Sequence, residues 1–581
     1  MTRNKFAPVL LVLACSVVLA GRPSLAAEAS TPPCKWVETE TLVGTLPSNH
    51  SPYLVSPDQR RVAFQVDEGE RTYVELDGKK YYAADFSTLN FSPDGQRLAY
   101  VVRDARGVCL AVDGKEERPY KSLRGFTFSP DGKSWAYVGQ TFAPCDPATF
   151  PSAEPCFLGG GSKTKPKEPD AWSCLVVNGK EGPRFGDLTA FVCSPDWTRQ
   201  ACVVRWKGGV TLVVDGRPAL ACRALEENSI VFSPDGKRFA CVASDGERNY
   251  VVVDGKEGPK YRSKPSIPVF SPDGQRFAYW VKEGDFVSVI VDGEPGFKGA
   301  GEVRGGVRFS PDSRHWAVEL GGDGTSRVVA DGTEHKAYRR ILNNSLAFLR
   351  DGRLCYLGDD GHGVFDCADG VERNRGQAVS SLTYSPAFDS QAYFLDGGNG
   401  KHLVLNGTEL PLRDSPRLDT LSFTCDGRHY AFVSYRNPNE PRREYVNDVS
   451  RQYLVVDGVK GDVHDYICPE SVTFSPDGGR VACFVKDHDR LRLSCGSVSV
   501  PVDEASGRRS ISFSPDGKHL AYRPASPCVV VDNRKGGQYD EVFPKDGRIL
   551  FDTSDCFHYL ARRLNNFYLV EARCVPEGAA E

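Results

Sequence analysis

The segment Ser229-Ile-Val-Phe-Ser-Pro-Asp-Gly-Lys-Arg-Phe-Ala-Cys-Val-Ala243 predicts a strand, a tight turn and a second strand. In Ser233-Pro234-Asp235-Gly236, proline fixes φ at the second turn position. Glycine accepts the left-handed conformation at the fourth position, which makes the bulge of a three-residue hairpin loop. The second strand, Phe239-Ala240-Cys241-Val242, is apolar on both faces, so the fold must cover it on both faces.

A second turn signal follows in Tyr250-Val-Val-Val-Asp254-Gly255. An Asp-Gly pair between β-rich runs predicts a type I′ hairpin, because that turn needs a positive φ at both central residues. One unit of sequence therefore contains two hairpins, that is, about four short antiparallel strands.

Both signals recur along the whole chain. The first turn carries its aspartate at Asp58, Asp94, Asp131, Asp196, Asp235, Asp273, Asp312, Asp351, Asp426, Asp477, Asp516 and, in weaker form, Asp555, with a further degenerate copy at Ser385-Pro386. The second turn recurs at Asp77, Asp113, Asn178, Asp215, Asp254, Asp292, Asp331, Asp369, Asn406, Asp457 and Asp532. A four-stranded repeat of this length predicts an all-β protein built from β-propeller blades.

About thirteen such repeats exceed the 4 to 8 blades of an ordinary propeller ring. We therefore expect two tandem β-propellers, of six and seven blades in either order, over residues 27–340 and 341–581. The boundary is placed where the repeat weakens, at Leu349-Arg350-Asp351, which lacks both serine and proline.

The motif Phe-Ser-Pro-Asp-Gly, followed by a basic residue and an apolar strand, resembles a known repeat. It stands nearly intact at Phe91–Tyr100, Phe128–Tyr137, Phe232–Cys241, Phe270–Tyr279, Phe474–Cys483 and Phe513–Tyr522. It is similar to the WD-like "PD" repeat of TolB-like propellers and of the propeller domains of some peptidases. The resemblance covers nearly the whole mature chain and implies the propeller fold. It implies no single activity, because this repeat serves very different tasks.

The N-terminus has the pattern of an export signal, residues 1–26. Arg3 and Lys5 precede an apolar run, and Ser24-Leu25-Ala26 is a small-residue cleavage site. Lipoprotein anchoring at Cys15 is the alternative interpretation. Loss of the three positive charges of residues 1–26 takes the formal charge from −4 to −7. We expect a mildly acidic, monomeric protein, periplasmic or extracellular, that binds no nucleic acid and has no membrane span.

Two insertions interrupt the period, within Gln140–Ala171 and within Tyr435–Gln452. Both fall after the second strand of a repeat and before the third, so they should open on the same face and mark a binding surface. Aromatic and arginine side chains are the usual anchors of such surfaces. The candidate partner-binding residues are Phe142, Phe150, Phe157, Trp172, Tyr435, Arg442, Arg443 and Tyr445.

The 19 cysteines include Cys15 of the export signal and no Cys-x-x-Cys pair, which argues against a zinc or redox site. Cys109, Cys174, Cys202, Cys241, Cys483 and Cys528 recur at regular positions, which predicts small core residues. Cys145 and Cys156, both in the first insertion, are candidates for a local disulfide. Trp36–Val43 and Phe567–Cys574 should be strands of one shared sheet, and Cys34 and Cys574 beside them form a second candidate pair.

Four histidines, His315, His429, His519 and His558, follow the turn aspartate by three residues, where other repeats carry arginine. We interpret this as an exposed polar position and expect no metal and no cofactor. The sequence has no Gly-x-Ser-x-Gly or His-Glu-x-x-His motif, so no catalytic residue is assigned. The favoured function is a non-catalytic exported scaffold for a protein or peptide of the cell envelope. The alternative is a glycan hydrolase or lyase with a loop-built site in the central funnel.

Overall fold

The protein folds into thirteen antiparallel sheets, in a computed structural model that describes most of the chain. The described residues are 34–46, 50–68, 71–83, 85–141, 172–206, 208–376, 378–397, 400–436, 451–488, 490–496, 498–502, 510–543 and 549–576. Helix in this part is limited to three single 3₁₀ turns, Glu227–Ser229, Leu418–Thr420 and Pro469–Ser471. No described helix is long and apolar enough to cross a membrane.

Each of the first twelve sheets consists of four or five strands that are consecutive in the chain. Sheets 1 to 4 comprise His50–Val55, Val62–Glu68, Arg71–Leu76 and Lys79–Ala83; Asp85–Phe91, Leu98–Asp104, Gly107–Val112 and Lys115–Glu116; Ser122–Phe128, Trp135–Gln140, Ser173–Val177 and Lys180–Phe185; and Leu188–Cys193, Gln200–Trp206, Gly209–Val214 and Arg217–Cys222. Sheets 5 to 8 comprise Ala224–Leu225, Val231–Phe232, Phe239–Ser244, Asn249–Val253 and Lys256–Tyr261; Val269–Phe270, Phe277–Glu283, Phe286–Val291 and Glu294–Ala300; Glu302–Phe309, Trp316–Gly322, Thr325–Ala330 and Thr333–Glu334; and Arg340–Ile341, Ala347–Phe348, Leu354–Asp359, Val364–Ala368 and Val371–Gly376.

The remaining sheets follow the same plan. Sheets 9 to 12 comprise Ala378–Tyr384, Gln391–Gly397, Gly400–Leu405 and Thr408–Leu412; Ser415–Pro416, Ser422–Phe423, Tyr430–Tyr435, Gln452–Val456 and Val459–His464; Tyr466–Ile467, Thr473–Phe474, Val481–Asp487, Arg490–Cys495 and Val498–Pro501; and Ser512–Phe513, Leu520–Tyr522, Val530–Val531 and Arg534–Lys535. Sheet 13 comprises Glu541–Phe543, Leu550–Thr553, Cys556–Arg563, Asn566–Pro576 and the N-terminal strand Cys34–Thr45.

The two ends of the chain complete one sheet, as the sequence predicts. Cys34–Thr45 pairs antiparallel with Asn566–Pro576, with Trp36 opposite Cys574 and Thr45 opposite Asn566. The N-terminal strand therefore covers the edge of the last sheet, which would otherwise expose unpaired backbone groups.

Apolar clusters join each sheet to the next around the whole series. Tyr356 of sheet 8 shares a core with Ala317 and Val328 of sheet 7, across the expected boundary at residue 340. Sheet 13 packs on sheet 1 through Leu560 and Phe64. The described sheets thus form one cyclic series of thirteen blades, and the expected division into propellers of six and seven blades is not confirmed. Long-range packing of sheet on sheet closes the ring, and no local sequence pattern reports it.

Hydrogen bonds within the repeat fix the geometry of the first turn. The hydroxyl of Ser233 donates to Asp235 Oδ1 at 2.6 Å, and the backbone N–H of Lys237 donates to the same oxygen at 3.2 Å. The hydrogen bond from Ser233 is the largest of the effects that lower the pKa of Asp235, to about 2. Gly236 has a φ of 70°, and the second turn has positive φ at both Asp254 and Gly255, as both turn types require.

An arginine links the two turns of a sheet and reaches the next sheet. Arg238 Nε donates to Asp254 Oδ2 at 2.8 Å, while Asp254 Oδ1 accepts the backbone N–H of Phe239 at 3.0 Å. Arg238 Nη1 also donates to the carbonyl oxygen of Gln275 in sheet 6. The same arrangement recurs at Arg61, Arg199 and Arg276. The repeated basic residue is therefore a cross-link between consecutive sheets.

We expect Arg238→Ala to lower the free energy of unfolding by about 2 kcal/mol, because it removes a charged hydrogen bond within the sheet and one to the next sheet. Its neighbour Lys237 is a matched control, since its side chain is 79% exposed and pairs with Asp235 of its own turn. Urea denaturation of Arg238→Ala and Lys237→Ala checks the prediction. Equal midpoints for the two variants would contradict the cross-link.

Candidate partner-binding face

The two faces of the ring differ in the connections between strands that lie on them. In the five-stranded sheets among the first twelve, the first two short strands both pair with the same next strand, so we count them together as strand one. In each of these twelve sheets, the connections from strand one to strand two and from strand three to strand four are short turns. Because the strands run antiparallel, the second-to-third connection lies at the opposite end. The first insertion joins Trp135–Gln140 to Ser173–Val177, and the second joins Tyr430–Tyr435 to Gln452–Val456. Both insertions therefore leave from the same face of the ring, opposite the turns, as the sequence predicts.

Hydrogen-bonded stems hold both insertions. The backbone N–H of Thr141 donates to the carbonyl oxygen of Trp172 at 2.7 Å, which closes the first stem. The backbone N–H of Arg436 donates to the carbonyl oxygen of Arg451 at 2.7 Å, which closes the second. Each stem thus continues its strand pair beyond the sheet and fixes where the insertion begins and ends.

Only two of the predicted partner-binding residues fall in the described part of the chain. Trp172 and Tyr435 are both half-buried at the stems. The other candidates, Phe142, Phe150, Phe157, Arg442, Arg443 and Tyr445, lie outside the described residues, as do Cys145 and Cys156. The predicted contacts and the local disulfide of the first insertion therefore stay predictions.

The two insertions arise on opposite sides of the ring. The first belongs to sheet 3 and the second to sheet 10. Sheets 4 to 9 separate them in one direction, and sheets 11 to 13, 1 and 2 separate them in the other. The insertion stems, with Trp172 at one and Tyr435 at the other, therefore lie on opposite sides of the ring, a separation that only the cyclic order of the sheets reveals.

A groove between the first strands of sheets 3 and 4 was not found by sequence reasoning. It has a volume of about 620 Å³ and an aromatic lining that includes Phe128, Phe191 and Trp197, with Arg124 beside them. Trp197 occupies the turn position that glycine holds in most repeats, with a φ of 59°. A bulky residue with a positive φ is rare, so this departure from the repeat was a usable signal.

Two acidic residues at or beside the first strands, Glu227 and Glu302, are paired with basic ones. Glu227 contacts Arg205 at 2.8 Å, and Glu302 contacts Lys282 at 2.5 Å. These hydrogen bonds lower the pKa of both carboxyl groups, the opposite of what a glycosidase acid requires. Burial raises the pKa of Glu75 and Glu319, but these residues lie far apart, in sheets 1 and 7.

The four histidines of the repeat do not gather in one place. They lie in sheets 7, 10, 12 and 13, and three of them contact the second-turn aspartate of their own sheet, at 2.6–2.7 Å from Nδ1 (His315, His429 and His519). His519 and His558 are only 5% and 3% exposed, so the prediction of an exposed position is wrong for these two. A histidine in this position replaces arginine as the partner of the aspartate.

The cysteines that recur in the repeat pack in the core, as predicted. Cys109, Cys174, Cys202, Cys241, Cys483 and Cys528 are all buried. Burial is the largest effect on the thiol of Cys241 and raises its pKa to about 12, which leaves it protonated and unreactive. In the terminal sheet, Cys34 lies opposite Pro576 and Trp36 lies opposite Cys574. The side chain of Cys34 is outside the described part, so the Cys34–Cys574 disulfide stays a prediction.

No family model matches the chain, and no curated protein matches it. Among solved structures, it is similar to a eukaryotic initiation factor, with 10% identity, coverage of 50% of this chain and 88% of that one, and a TM-score of 0.20. It is similar to the β-propeller domain of the Trilobed protease from Pyrococcus furiosus, with 12% identity, 50% and 95% coverage and a TM-score of 0.23. A structure of prolyl endopeptidases has 13% identity, 69% and 56% coverage and a TM-score of 0.23. Such scores carry no argument about function.

Proposed function

We propose that the protein is an exported, non-catalytic propeller scaffold that binds a protein or peptide partner of the cell envelope. Binding takes place on the face opposite the turns, through the two insertions. Support comes from one observation above all: both insertions leave this face from hydrogen-bonded stems, at Thr141 and Trp172 and at Arg436 and Arg451. The turn face has no comparable extension among the described residues, because short turns occupy it.

The separation of the insertions favours a large or extended partner. The stems of the insertions lie on opposite sides of the ring, in sheets 3 and 10, so one partner that contacts the protein at both stems must reach from one side of the ring to the other. Two separate contact sites on one rigid ring also raise the apparent affinity, because the second contact forms within the complex. A small ligand that contacts both stems at once is disfavoured by this arrangement.

Glycan hydrolysis is the weaker alternative. It requires two carboxyl groups placed together, one with a raised pKa. Glu227 and Glu302 instead have lowered pKa values and basic partners. The export-signal pattern of residues 1–26 supports export. The repeated Phe-Ser-Pro-Asp-Gly motif supports a relationship to TolB-like propellers.

Affinity capture from envelope extract tests the proposal. The bait is the mature protein, compared with variants in which a short Gly/Ser linker replaces residues 142–171, residues 437–450, or both, so that the paired stems can still form. A Lys133→Ala, Lys237→Ala variant, altered only on the turn face, is the matched control. We expect one partner to bind the full protein and the control, to bind each single deletion more weakly, and to be lost from the double deletion.

The captured partner is then purified and its affinity measured by biolayer interferometry. An affinity that is unchanged by the double deletion would reject the assigned face. If the double-deletion variant releases sugar from envelope glycans, the scaffold proposal is rejected and the hydrolase alternative is favoured.

A further inference from the structure

One group of metal-ligating side chains lies where the two ends of the chain close the ring. His519 comes from sheet 12, Asp555 from the turn before Cys556–Arg563 in sheet 13, and Cys574 from the C-terminal strand. The ligand atoms of these three residues all lie within 4.8 Å of one another. The N-terminal strand is beside them, because Trp36 is the register partner of Cys574.

The imidazole of His519 is held in a fixed orientation. Its Nδ1 lies 2.6 Å from Asp532 Oδ2, and that carboxylate also accepts the indole N–H of Trp36 at 2.9 Å. The ring of Trp36 packs edge-on against the imidazole, with ring centroids 5.1 Å apart. The other nitrogen, Nε2, therefore points towards Asp555, whose Oδ1 is 3.9 Å away.

The place where the two ends of the chain close the ring is here called the seam. His429 of sheet 10, which occupies the same repeat position as His519, shows that the surroundings of His519 are specific to the seam. His429 Nδ1 contacts Asp457 at 2.7 Å in the same way. Its Nε2, however, faces Gly478 of the next turn, so close that an added Cβ there would lie 3.1 Å from this nitrogen. Where His429 meets a glycine, His519 meets a carboxylate and a thiol.

We propose that His519, Asp555 and Cys574 bind a divalent transition metal ion, with Zn²⁺ as the best match. Nitrogen, oxygen and sulfur donors are the ligands that Zn²⁺ takes in proteins, and three protein ligands leave a fourth position for water. A carboxylate such as Asp532 on the remote nitrogen of a ligating histidine is the usual outer partner. Bonds of about 2.0–2.3 Å bring donor atoms to roughly 3.3–3.8 Å of one another, so the site must contract by about 1 Å. Asp555, which is 72% exposed, can supply that movement.

The metal ion would join sheet 12, sheet 13 and the strand that pairs with the N-terminus. It would therefore act as a clasp on the seam of the ring, since binding to the folded state stabilises that state. This role is independent of the partner-binding face. It also competes with the predicted Cys34–Cys574 disulfide, because a thiol in a disulfide cannot be a thiolate ligand.

Equilibrium dialysis and thermal denaturation of the mature protein with Zn²⁺ alone test the proposal. We expect one Zn²⁺ per chain and a rise in Tm that EDTA reverses. Cobalt(II) should give a thiolate charge-transfer band that Cys574→Ser removes. Asp555→Asn, at an exposed position, and Asp532→Asn should each weaken binding 10- to 100-fold. His429→Gln is the matched control and should bind as tightly as the unaltered protein.

Circular dichroism of each variant checks that the fold is retained. The proposal is overturned if fewer than one Zn²⁺ binds to the reduced protein, or if Cys574→Ser and Asp555→Asn bind as tightly as the unaltered protein. It is also overturned if peptide mapping finds Cys574 joined to Cys34 in the exported protein.

Discussion

Replacing Gly274 with alanine is expected to lower the free energy of unfolding by about 3 kcal/mol. Gly274 ends the first turn of sheet 6 with a φ of 72°, a conformation that costs an alanine about 1–2 kcal/mol. An added Cβ would also lie 2.8 Å from Asp235 Oδ1 and 3.1 Å from Ser233 Cβ, in the turn of sheet 5. These atoms cannot move away readily, because Ser233 and Lys237 hold the carboxylate by hydrogen bonds. Displacing them adds roughly 1–2 kcal/mol.

Gly284 is a matched control for Gly274. It has a φ of 64°, and an added Cβ there would meet nothing within 4 Å. Gly284→Ala should therefore lower the free energy of unfolding only by the cost of placing alanine at a positive φ, about 1–2 kcal/mol. Urea denaturation of both variants, with the midpoint as the readout, separates the two costs. If both variants lose the same stability, the contact between neighbouring turns contributes nothing.

Glu38→Ala is expected to lower the free energy of unfolding by about 3 kcal/mol and to loosen the N-terminal strand first. Glu38 accepts the hydroxyl of Tyr559 and the backbone N–H of Gly537, both at 2.8 Å. Tyr559 is fully buried, so its hydroxyl would lose its acceptor without gaining water. An unsatisfied buried donor such as the Tyr559 hydroxyl costs about 1–3 kcal/mol, and the half-buried N–H of Gly537 loses its acceptor as well.

Hydrogen exchange locates this effect. Amide protection of Cys34–Thr45 and of its partner strand Asn566–Pro576 should fall in Glu38→Ala, while the sheets on the far side of the ring keep theirs. Glu302→Ala is the control, because Glu302 is 72% exposed and pairs with Lys282 at the surface. Its stability should change by no more than about 0.5 kcal/mol. A uniform loss of protection around the ring would show instead that Glu38 does not act at the seam.

The repeat was predictable because its information is local. Ser-Pro-Asp-Gly and Asp-Gly restrict φ at known positions, and the structure has the expected left-handed residues, such as Gly236, Asp254 and Gly255. The shared face of the two insertions followed as well, since strand order within an antiparallel sheet fixes which connections lie at which end. Burial of the recurring cysteines followed from their fixed place in each repeat.

The candidate site was only half predictable. Trp172 and Tyr435 lie at the insertion stems as expected, but the sequence did not show that sheets 3 and 10 face each other across the ring. The groove beside Trp197 joins two repeats, and its lining cannot be recognised from either one.

The pattern of residues along the chain was sufficient to predict about thirteen four-stranded repeats, their turns and the face that carries the insertions, because each depends on residues close together in the chain. Packing between sheets established the rest: the sheets close as one ring, Arg238 reaches sheet 6, and His519, Asp555 and Cys574 meet at the seam. These features depend on the angle at which one sheet packs on the next. That angle is set by the sum of many side-chain contacts and leaves no periodic trace in the sequence.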